Sequence, residues 1–127
     1  MKKIIFLFVQ LLIWTISYGQ TQNEMNEDAN NHYLKTEKQI NKVYQEIIKK
    51  YSSDTLFITK LKVAQRLWIK FRDAELDMKF PNRSYSGSLF TMCYMDYKTD
   101  LTEARINKLK QWLKSNTDEE ACSGSIR

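Results

Sequence analysis

Residues 61–75 read LKVAQRLWIKFRDAE, and this stretch indicates how the chain folds. Its apolar side chains return at Leu61, Ala64, Trp68 and Phe71, in steps of three and four. That spacing places them on one face of an α-helix, because a helix completes a turn in about 3.6 residues. We therefore predict a helix over about residues 55–79 with a broad, aromatic buried face, made of Phe57, Leu61, Ala64, Trp68, Phe71 and Met78, with Leu67 and Leu76 beside them.

The segment before it has the same periodicity and predicts a first helix over about residues 23–51. Its expected buried face comprises Ala29, Tyr33, Thr36, Ile40, Val43 and Ile47, with Tyr44, Ile48 and Tyr51 widening it. The two helices are separated by Ser52, Ser53 and Asp54, any of which can accept a backbone N–H at the start of the second helix. Pro81 disfavours helical backbone at Phe80, so we expect the second helix to stop there.

A loop rich in Ser, Asn and Gly is expected at residues 82–88. A third helical face follows, formed by Phe90, Cys93 or Tyr94, Tyr97, Leu101, Ile106, Leu109, Trp112 and Leu113. Asp100 with Glu103 resembles a capping box, so this last helix either continues or is broken into two near Asp100. The sequence after Ser115 is polar and predicts a tail.

The composition favours one all-α domain, a small bundle of three long helices. The 127 residues are 43% hydrophobic and 28% charged, with only 3 Gly and 1 Pro. Such a chain builds one compact core, and few of its residues interrupt helices. We place this single domain at residues 20–127.

The first residues have the layout of a secretory signal peptide. Lys2 and Lys3 precede an apolar run over residues 4–16, and Ser17 and Gly19 supply small residues for a cleavage site. A retained anchor is the alternative, but 13 helical residues span only about 20 Å, less than the roughly 30 Å hydrocarbon core. We predict a signal peptide at residues 1–19, cleaved near Gly19, and a periplasmic or secreted protein with no membrane contact after cleavage.

Export gives the two cysteines a role. In an oxidising compartment Cys93 and Cys122 can form a disulfide that ties the tail to the bundle and stabilises it by about 3 to 4 kcal/mol. Two free thiols are the alternative. A zinc site is not expected, because His32 is the only histidine and no Cys-x-x-Cys motif occurs.

The residues predict no enzyme, cofactor or metal. His32 is the only imidazole and has polar neighbours, whereas Asp73 and Glu75 are two residues apart and point to different sides of a helix. Without Lys2 and Lys3 the chain has 18 basic and 15 acidic residues, a net charge of +3. The charges are interspersed, so nucleic-acid binding is not expected.

Gln65, Trp68 and Arg72 lie on adjoining turns of one helix face, and two interpretations compete. In the first interpretation, they form a recognition surface, since Trp and Arg are frequent in binding hot spots. Alternatively, Trp68 fills the core while Arg72 pairs with an acid. We expect Arg72 and Arg105 to be partly buried and paired with acids or carbonyls, because each lies among apolar residues.

The chain resembles the LprI-type lysozyme-inhibitor-like family of small exported bacterial domains. The resemblance rests on Glu24-Met25-Asn26, on residues 40–44, on the Leu-x-x-Ala-Gln-x-x-Trp-x-x-x-Arg-Asp-Ala-Glu pattern at 61–75, and on Leu101-Thr102-x-x-Arg105 with Leu109. These segments cover nearly all of the chain after residue 19, in order. The motif positions, structural or binding, are Gln65, Trp68, Arg72, Asp73, Glu75, Thr102 and Arg105.

The resemblance implies an all-helical exported protein without a cofactor that binds lysozyme and occludes its cleft. The alternative function is a non-enzymatic envelope module that binds peptidoglycan or a partner protein through the Trp68 region. The first surfaces to test are the loop at residues 84–89 and the acidic tail at residues 118–120. Family members often carry cysteines near the position of Asp28 and directly after the Arg-Asp-Ala-Glu word, where this chain has Leu76, so its first two helices must rely on packing.

Overall fold

The computed structural model describes residues 2–82, 84, 87–114 and 124–126, with side chains from residue 21 onward. This part of the chain contains three α-helices and no strand: α1 at Lys2–Lys50, α2 at Thr55–Lys79 and α3 at Phe90–Leu109. Short 3₁₀ helices lie at Gly87–Leu89 and Lys110–Leu113, before and after α3. The predicted all-α class with three long helices is confirmed.

The three helices run up, down and up. Asn26 at the middle of α1 contacts Met92 in the first turn of α3, and Lys50 at the end of α1 contacts Trp112 after α3, so α1 and α3 are parallel. Gln65 of α2 contacts Arg105, so α2 runs antiparallel to α3. The turn at residues 51–54 and the segment after Lys79 make these two reversals.

The core is centred on α1, and its buried face is the one predicted from the sequence. The buried residues are Ala29, Tyr33, Thr36, Ile40, Val43 and Ile47, and Tyr51 is buried at the turn. The C-terminal part of this face, from Ile40 onward, packs with Leu61 from α2 and with Ile106 and Leu109 from α3. Removing these side chains from water is the main favourable contribution to folding.

α1 also supplies hydrogen bonds at both ends of the α3 segment. Oδ1 of Asn26 accepts the backbone N–H of Met92 at 3.1 Å, in the first turn of α3. At the other end, Nζ of Lys50 and the hydroxyl of Tyr51 donate to the carbonyl oxygen of Trp112, at 3.0 and 3.2 Å. Because helix ends leave N–H and C=O groups without helical partners, these contacts set the axial position of α3 on α1.

Both boundaries of α2 agree with the sequence signals. Asp54 is the residue that caps α2, with a side-chain oxygen that accepts the N–H of Phe57 at 2.9 Å. The helix ends at Lys79, and Phe80 leaves the helical region before Pro81. Of the three candidate caps, only Asp54 immediately precedes the first helical residue, Thr55, so its side chain can reach the N–H of the third helical residue, Phe57.

The suggested break near Asp100 is wrong, because α3 is continuous from Phe90 to Leu109. No Gly or Pro interrupts this segment. The hydroxyls of Thr99 and Thr102 each donate to the backbone carbonyl oxygen four residues earlier, at 2.8 and 2.7 Å. Both side chains are buried. These internal bonds let α3 bury two polar residues without a break.

The predicted buried face of α2 is only partly correct. Leu61 and Leu76 are buried, and Phe57 and Trp68 are partly buried toward the bundle. Phe71 and Met78 were expected there, but they are 63% and 74% exposed. Ala64 and Leu67 are also exposed. The reason is that α2 has apolar residues on two faces, whereas α1 and α3 cover only one.

Some predictions fall outside the described residues. Cys122 and the acidic tail at residues 118–120 are among these, so the Cys93–Cys122 disulfide stays a prediction; Cys93 itself is half-buried on α3. The side chains of the predicted signal peptide at residues 1–19 are also outside. None of the described helices combines the length and the hydropathy that a membrane span requires.

The cap at Asp54 gives a stability prediction. Replacing Asp54 by Ala leaves the N–H of Phe57 without its side-chain acceptor, so we expect the free energy of unfolding to fall by about 1 kcal/mol. Urea denaturation followed by circular dichroism measures this change. Ser53→Ala is the matched control and should change stability by less than about 0.5 kcal/mol. An equal loss in both variants would contradict the assignment of the cap.

Candidate functional site

The motif residues of α2 and α3 meet where these helices pack together. Nε of Arg105 donates to Oε1 of Gln65 at 3.1 Å, and its guanidinium lies 5.8 Å from the centre of the Trp68 ring. Burial lowers the pKa of Arg105 from its ordinary value. Because no carboxylate lies within salt-bridge distance of Arg105 among the described residues, the amide and the ring are its main polar partners there.

Arg72 approaches the same indole from α2. Its guanidinium lies 5.2 Å from the centre of the Trp68 ring and pairs with Asp73 at 2.7 Å. The Arg72 side chain is only 12% exposed. Arg72 and Arg105 are thus both partly buried and paired, as their apolar neighbours in the sequence predict. Trp68 therefore interacts with two guanidinium groups of its own chain.

A second pair of contacts, which the sequence did not indicate, joins α1 to this region. Nζ of Lys98 lies 4.4 Å from the centre of the Tyr33 ring, and the Tyr33 hydroxyl donates to Glu37 at 3.1 Å. Burial, together with the positive charge of Arg72, lowers the pKa of Lys98, and burial raises the pKa of Tyr33. Tyr33 had been assigned to the core from its periodicity, but no local signal pairs it with a lysine 65 positions away.

Glu75 lies nearer the loop and contacts α3. Its Oε1 accepts the hydroxyl of Tyr97 at 2.8 Å, and Nζ of Lys79 lies 3.5 Å from the centre of the same ring. The hydrogen bond to Glu75 raises the pKa of Tyr97. Thr102, the remaining motif residue on α3, is buried and bonded to its own helix. Glu75 and Thr102 therefore do not join Trp68 in one site.

These contacts are of the kind that hold helices together. The carboxylate of Asp73 is engaged by Arg72, and that of Glu75 by Tyr97, so the two acids do not converge on one point. No group of three or more His, Cys, Asp or Glu residues suited to a metal ion occurs in the described residues. His32 is exposed and lies 3.6 Å from Glu103. Among the side chains that the structure describes, these bonds bring no pair of acids and no base and nucleophile together.

The end of the bundle that carries the loop has a different character. The rings of Phe80, Phe90, Tyr94 and Tyr97 contact one another, with centroids 5.5 to 6.2 Å apart. Next to them is a pocket of about 450 Å³, lined by Asp77, Phe80, Pro81, Phe90, Thr91, Tyr94 and Met95. The loop residues Asn82, Ser84, Gly87, Ser88 and Leu89 are exposed. We call these five residues the loop tip.

The comparison with known families identifies the chain. The family described as lysozyme inhibitor LprI matches residues 16–109, which is most of the chain and ends with the last residue of α3. This chain belongs to the LprI family. No curated protein and no solved structure gave a match. The predicted resemblance is confirmed, and the family is one of exported inhibitors rather than enzymes.

For an LprI protein, the positions of its motif residues are informative. The structure brings together Gln65, Trp68, Arg72 and Arg105, all in contacts within the chain. The loop tip, by contrast, is exposed and its residues form no part of the quoted motif. Of the residues quoted for the resemblance, Gln65, Trp68 and Arg105 thus join α2 to α3.

The Arg105 contacts predict that removing this side chain lowers the stability of the fold. Arg105→Ala leaves Oε1 of Gln65 without its donor and removes one cation from Trp68, so we expect a decrease of about 1 to 3 kcal/mol in the free energy of unfolding. Arg66→Ala, on the exposed side of α2, should cost less than about 0.5 kcal/mol. Urea denaturation measures both. If folded Arg105→Ala retained full stability, this contact would not be important for packing.

The Glu75–Tyr97 bond predicts a change in a tyrosine titration. A raised pKa in the folded state means that Tyr97 stabilises the fold at neutral pH, and that this contribution is lost as the pH rises above the ordinary phenol pKa and through the raised one. Glu75→Gln removes the negative charge that holds the proton, so the pKa of Tyr97 should fall. Tyrosine NMR signals followed against pH measure it. Glu103→Gln is the control and should leave Tyr97 unchanged; an equal shift in both would contradict the assigned bond.

Proposed function

We propose that this protein binds a lysozyme and inhibits it by inserting the loop tip into, or across, the substrate cleft. The observation that carries the proposal is the match of residues 16–109 to the LprI lysozyme-inhibitor family, which covers all of α2 and α3 and most of α1. Inhibition of this kind needs a surface complementary to the cleft and no chemistry of its own.

The loop tip is the best-suited surface because it is exposed while the two helix ends that carry it are packed together. It connects the end of α2 to the start of α3, and the packed rings of Phe80, Phe90 and Tyr94 hold these two ends together. Gly87 has a positive φ of 53°, a backbone conformation that side chains disfavour, and it turns the chain back toward α3. A loop with fixed ends loses less conformational entropy on binding than a free segment does.

The chemistry of the tip also suits a glycan-binding cleft. Asn82, Ser84 and Ser88 offer amide and hydroxyl groups that can form hydrogen bonds where sugar hydroxyls normally bind. Leu89 is 42% exposed beside them and offers an apolar contact. Affinity then comes from close contact rather than from long-range attraction, because the net charge of +3 outside residues 1–19 does not attract a basic enzyme.

A lysis assay tests this proposal. Suspended bacterial cell walls are treated with a c-type or a g-type lysozyme, with and without excess purified protein, and the fall in turbidity is recorded. We expect the protein to slow lysis by at least one of the two enzymes. Leu89→Lys places a charge in the apolar part of the contact and should raise the concentration needed for half-inhibition at least about tenfold.

Leu34→Lys is the matched control. Leu34 is a leucine of nearly the same exposure, 43%, on α1 rather than on the loop. It should leave inhibition within about twofold of the original protein. If the unmodified protein did not slow either lysozyme at excess, the inhibitor function would be excluded. If both lysine variants inhibited equally well, the inhibitory surface would not include the loop tip.

A further inference from the structure

The pocket at the loop-bearing end of the bundle combines aromatic rings with polar side chains. Its volume is about 450 Å³, within the range of small-molecule sites, and it lies between the end of α2 and the first turns of α3. Its lining comprises Asp77, Phe80 and Pro81 from the end of α2 and the residues after it, and Phe90, Thr91, Tyr94 and Met95 from α3. We call it the aromatic pocket.

The rings of the aromatic pocket form a packed apolar surface. Phe90 and Tyr94 are stacked, with centroids 5.5 Å apart and an angle of 28° between the ring planes. Phe80 meets Phe90 edge-on, with centroids 6.0 Å apart. All three are half-buried, so each ring is held by its neighbours while part of it faces the pocket. Because these rings are already in place, they lose little conformational entropy when a ligand with an apolar face packs on them.

Three polar groups lie in the same lining. They are the carboxylate of Asp77 and the hydroxyls of Thr91 and Tyr94. Within the part of the chain that the structure describes, none of the three takes part in a hydrogen bond or an ion pair. An ionised carboxylate only accepts hydrogen bonds, whereas a hydroxyl both donates and accepts. A complementary ligand therefore carries several groups that donate and accept, beside an apolar face.

The charges around the aromatic pocket disfavour an ionic ligand. A cation is disfavoured because the rings already have one from their own chain: Nζ of Lys79 lies 3.5 Å from the centre of the Tyr97 ring and 5.8 Å from that of Phe80. The pocket also lies at the N-terminus of α3, which is the positive end of the helix dipole. An anion, in turn, is repelled by the carboxylate of Asp77. These charges favour a neutral ligand.

We propose that the aromatic pocket binds a neutral saccharide. A pyranose ring has C–H groups on its faces and hydroxyls around its edge, so it matches both parts of this lining. In the bound state the sugar packs on the rings of Phe90 and Tyr94, and its hydroxyls donate to the carboxylate of Asp77. The family of this chain is one of lysozyme inhibitors, and the saccharide that lysozyme cuts is an N-acetylated glycan. We therefore assign an N-acetylated glycan as the ligand.

This location differs from the Trp68 region, where the indole already interacts with Arg72 and Arg105. The aromatic pocket is next to the loop tip instead, because Leu89 directly precedes Phe90 in the chain. A glycan bound there holds the loop tip close to the cell wall, where lysozyme acts. Saccharide binding does not depend on the proposed inhibitor function.

Titration of the isotope-labelled protein with the trimer of N-acetylglucosamine, without lysozyme, tests the pocket. We expect saturable shifts of the NMR signals of Phe90 and Tyr94, with a dissociation constant on the order of 1 mM. Asp77→Ala removes the acceptor and should raise this constant about tenfold. Asp28→Ala is the matched control, since Asp28 is an exposed aspartate in a different pocket without Phe or Tyr. It should leave the constant within about twofold.

A second pair of variants tests the rings. Phe90→Leu keeps an apolar side chain but removes the flat face, so the dissociation constant should rise several-fold. Phe71→Leu is the control, because Phe71 is 63% exposed on α2 and does not line the pocket. Circular dichroism checks that both variants keep their helix content. An unchanged constant in folded Phe90→Leu would exclude stacking on this ring.

Two other results would overturn the saccharide site. One is the absence of saturable shifts up to about 20 mM trimer, or an equal loss of affinity in Asp77→Ala and Asp28→Ala. The other is that n-butylguanidinium, a cation with an apolar stem, shifts the signals of Phe90 and Tyr94 while the trimer does not.

The lysis assay separates this inference from the proposed function. Asp77→Ala keeps the loop tip, so it should still slow lysis although it binds the trimer weakly. If the unmodified protein binds the trimer but slows neither lysozyme, the inhibitor function is excluded and the saccharide site stands. If it slows lysis but binds no trimer, the saccharide site is excluded and the inhibitor function stands.

Discussion

The parallel contact between α1 and α3 is the constraint on which the rest of the structure depends. It buries the apolar face of α1 against Ile106 and Leu109, and it lets α1 bond to both ends of the α3 segment. Asn26 fixes the first turn of α3, while Lys50 and Tyr51 fix the carbonyl of Trp112. Because the axial position is set at two points, Tyr33 and Lys98 also come into contact between them.

α2 is attached to this pair along one side only. Its apolar contacts are Leu61 and Leu76, and its polar contacts are centred on Trp68, with Arg72 and Arg105 over the indole. A helix held in this way has a second face that its own bundle does not cover.

The distribution of roles follows from this geometry. Gln65 and Trp68 contact Arg105 along the length of the α2–α3 contact, whereas the rings of Phe80, Phe90 and Tyr94 hold the loop-bearing ends of the two helices together. The loop tip, which we propose as the binding surface, consists of exposed small and polar residues together with Leu89.

The sequence by itself determined the local features: the buried face of α1, the Asp54 cap region, the end of α2 before Pro81 and the three-helix class. Each depends on neighbours within a few residues, which periodicity and capping rules describe. Only the tertiary structure decided which of the two apolar faces of α2 is buried, why Thr99 and Thr102 lie in the core, and that Lys98 lies over Tyr33. These outcomes depend on which helix lies opposite and at what axial position, and no periodic pattern along one segment contains that information.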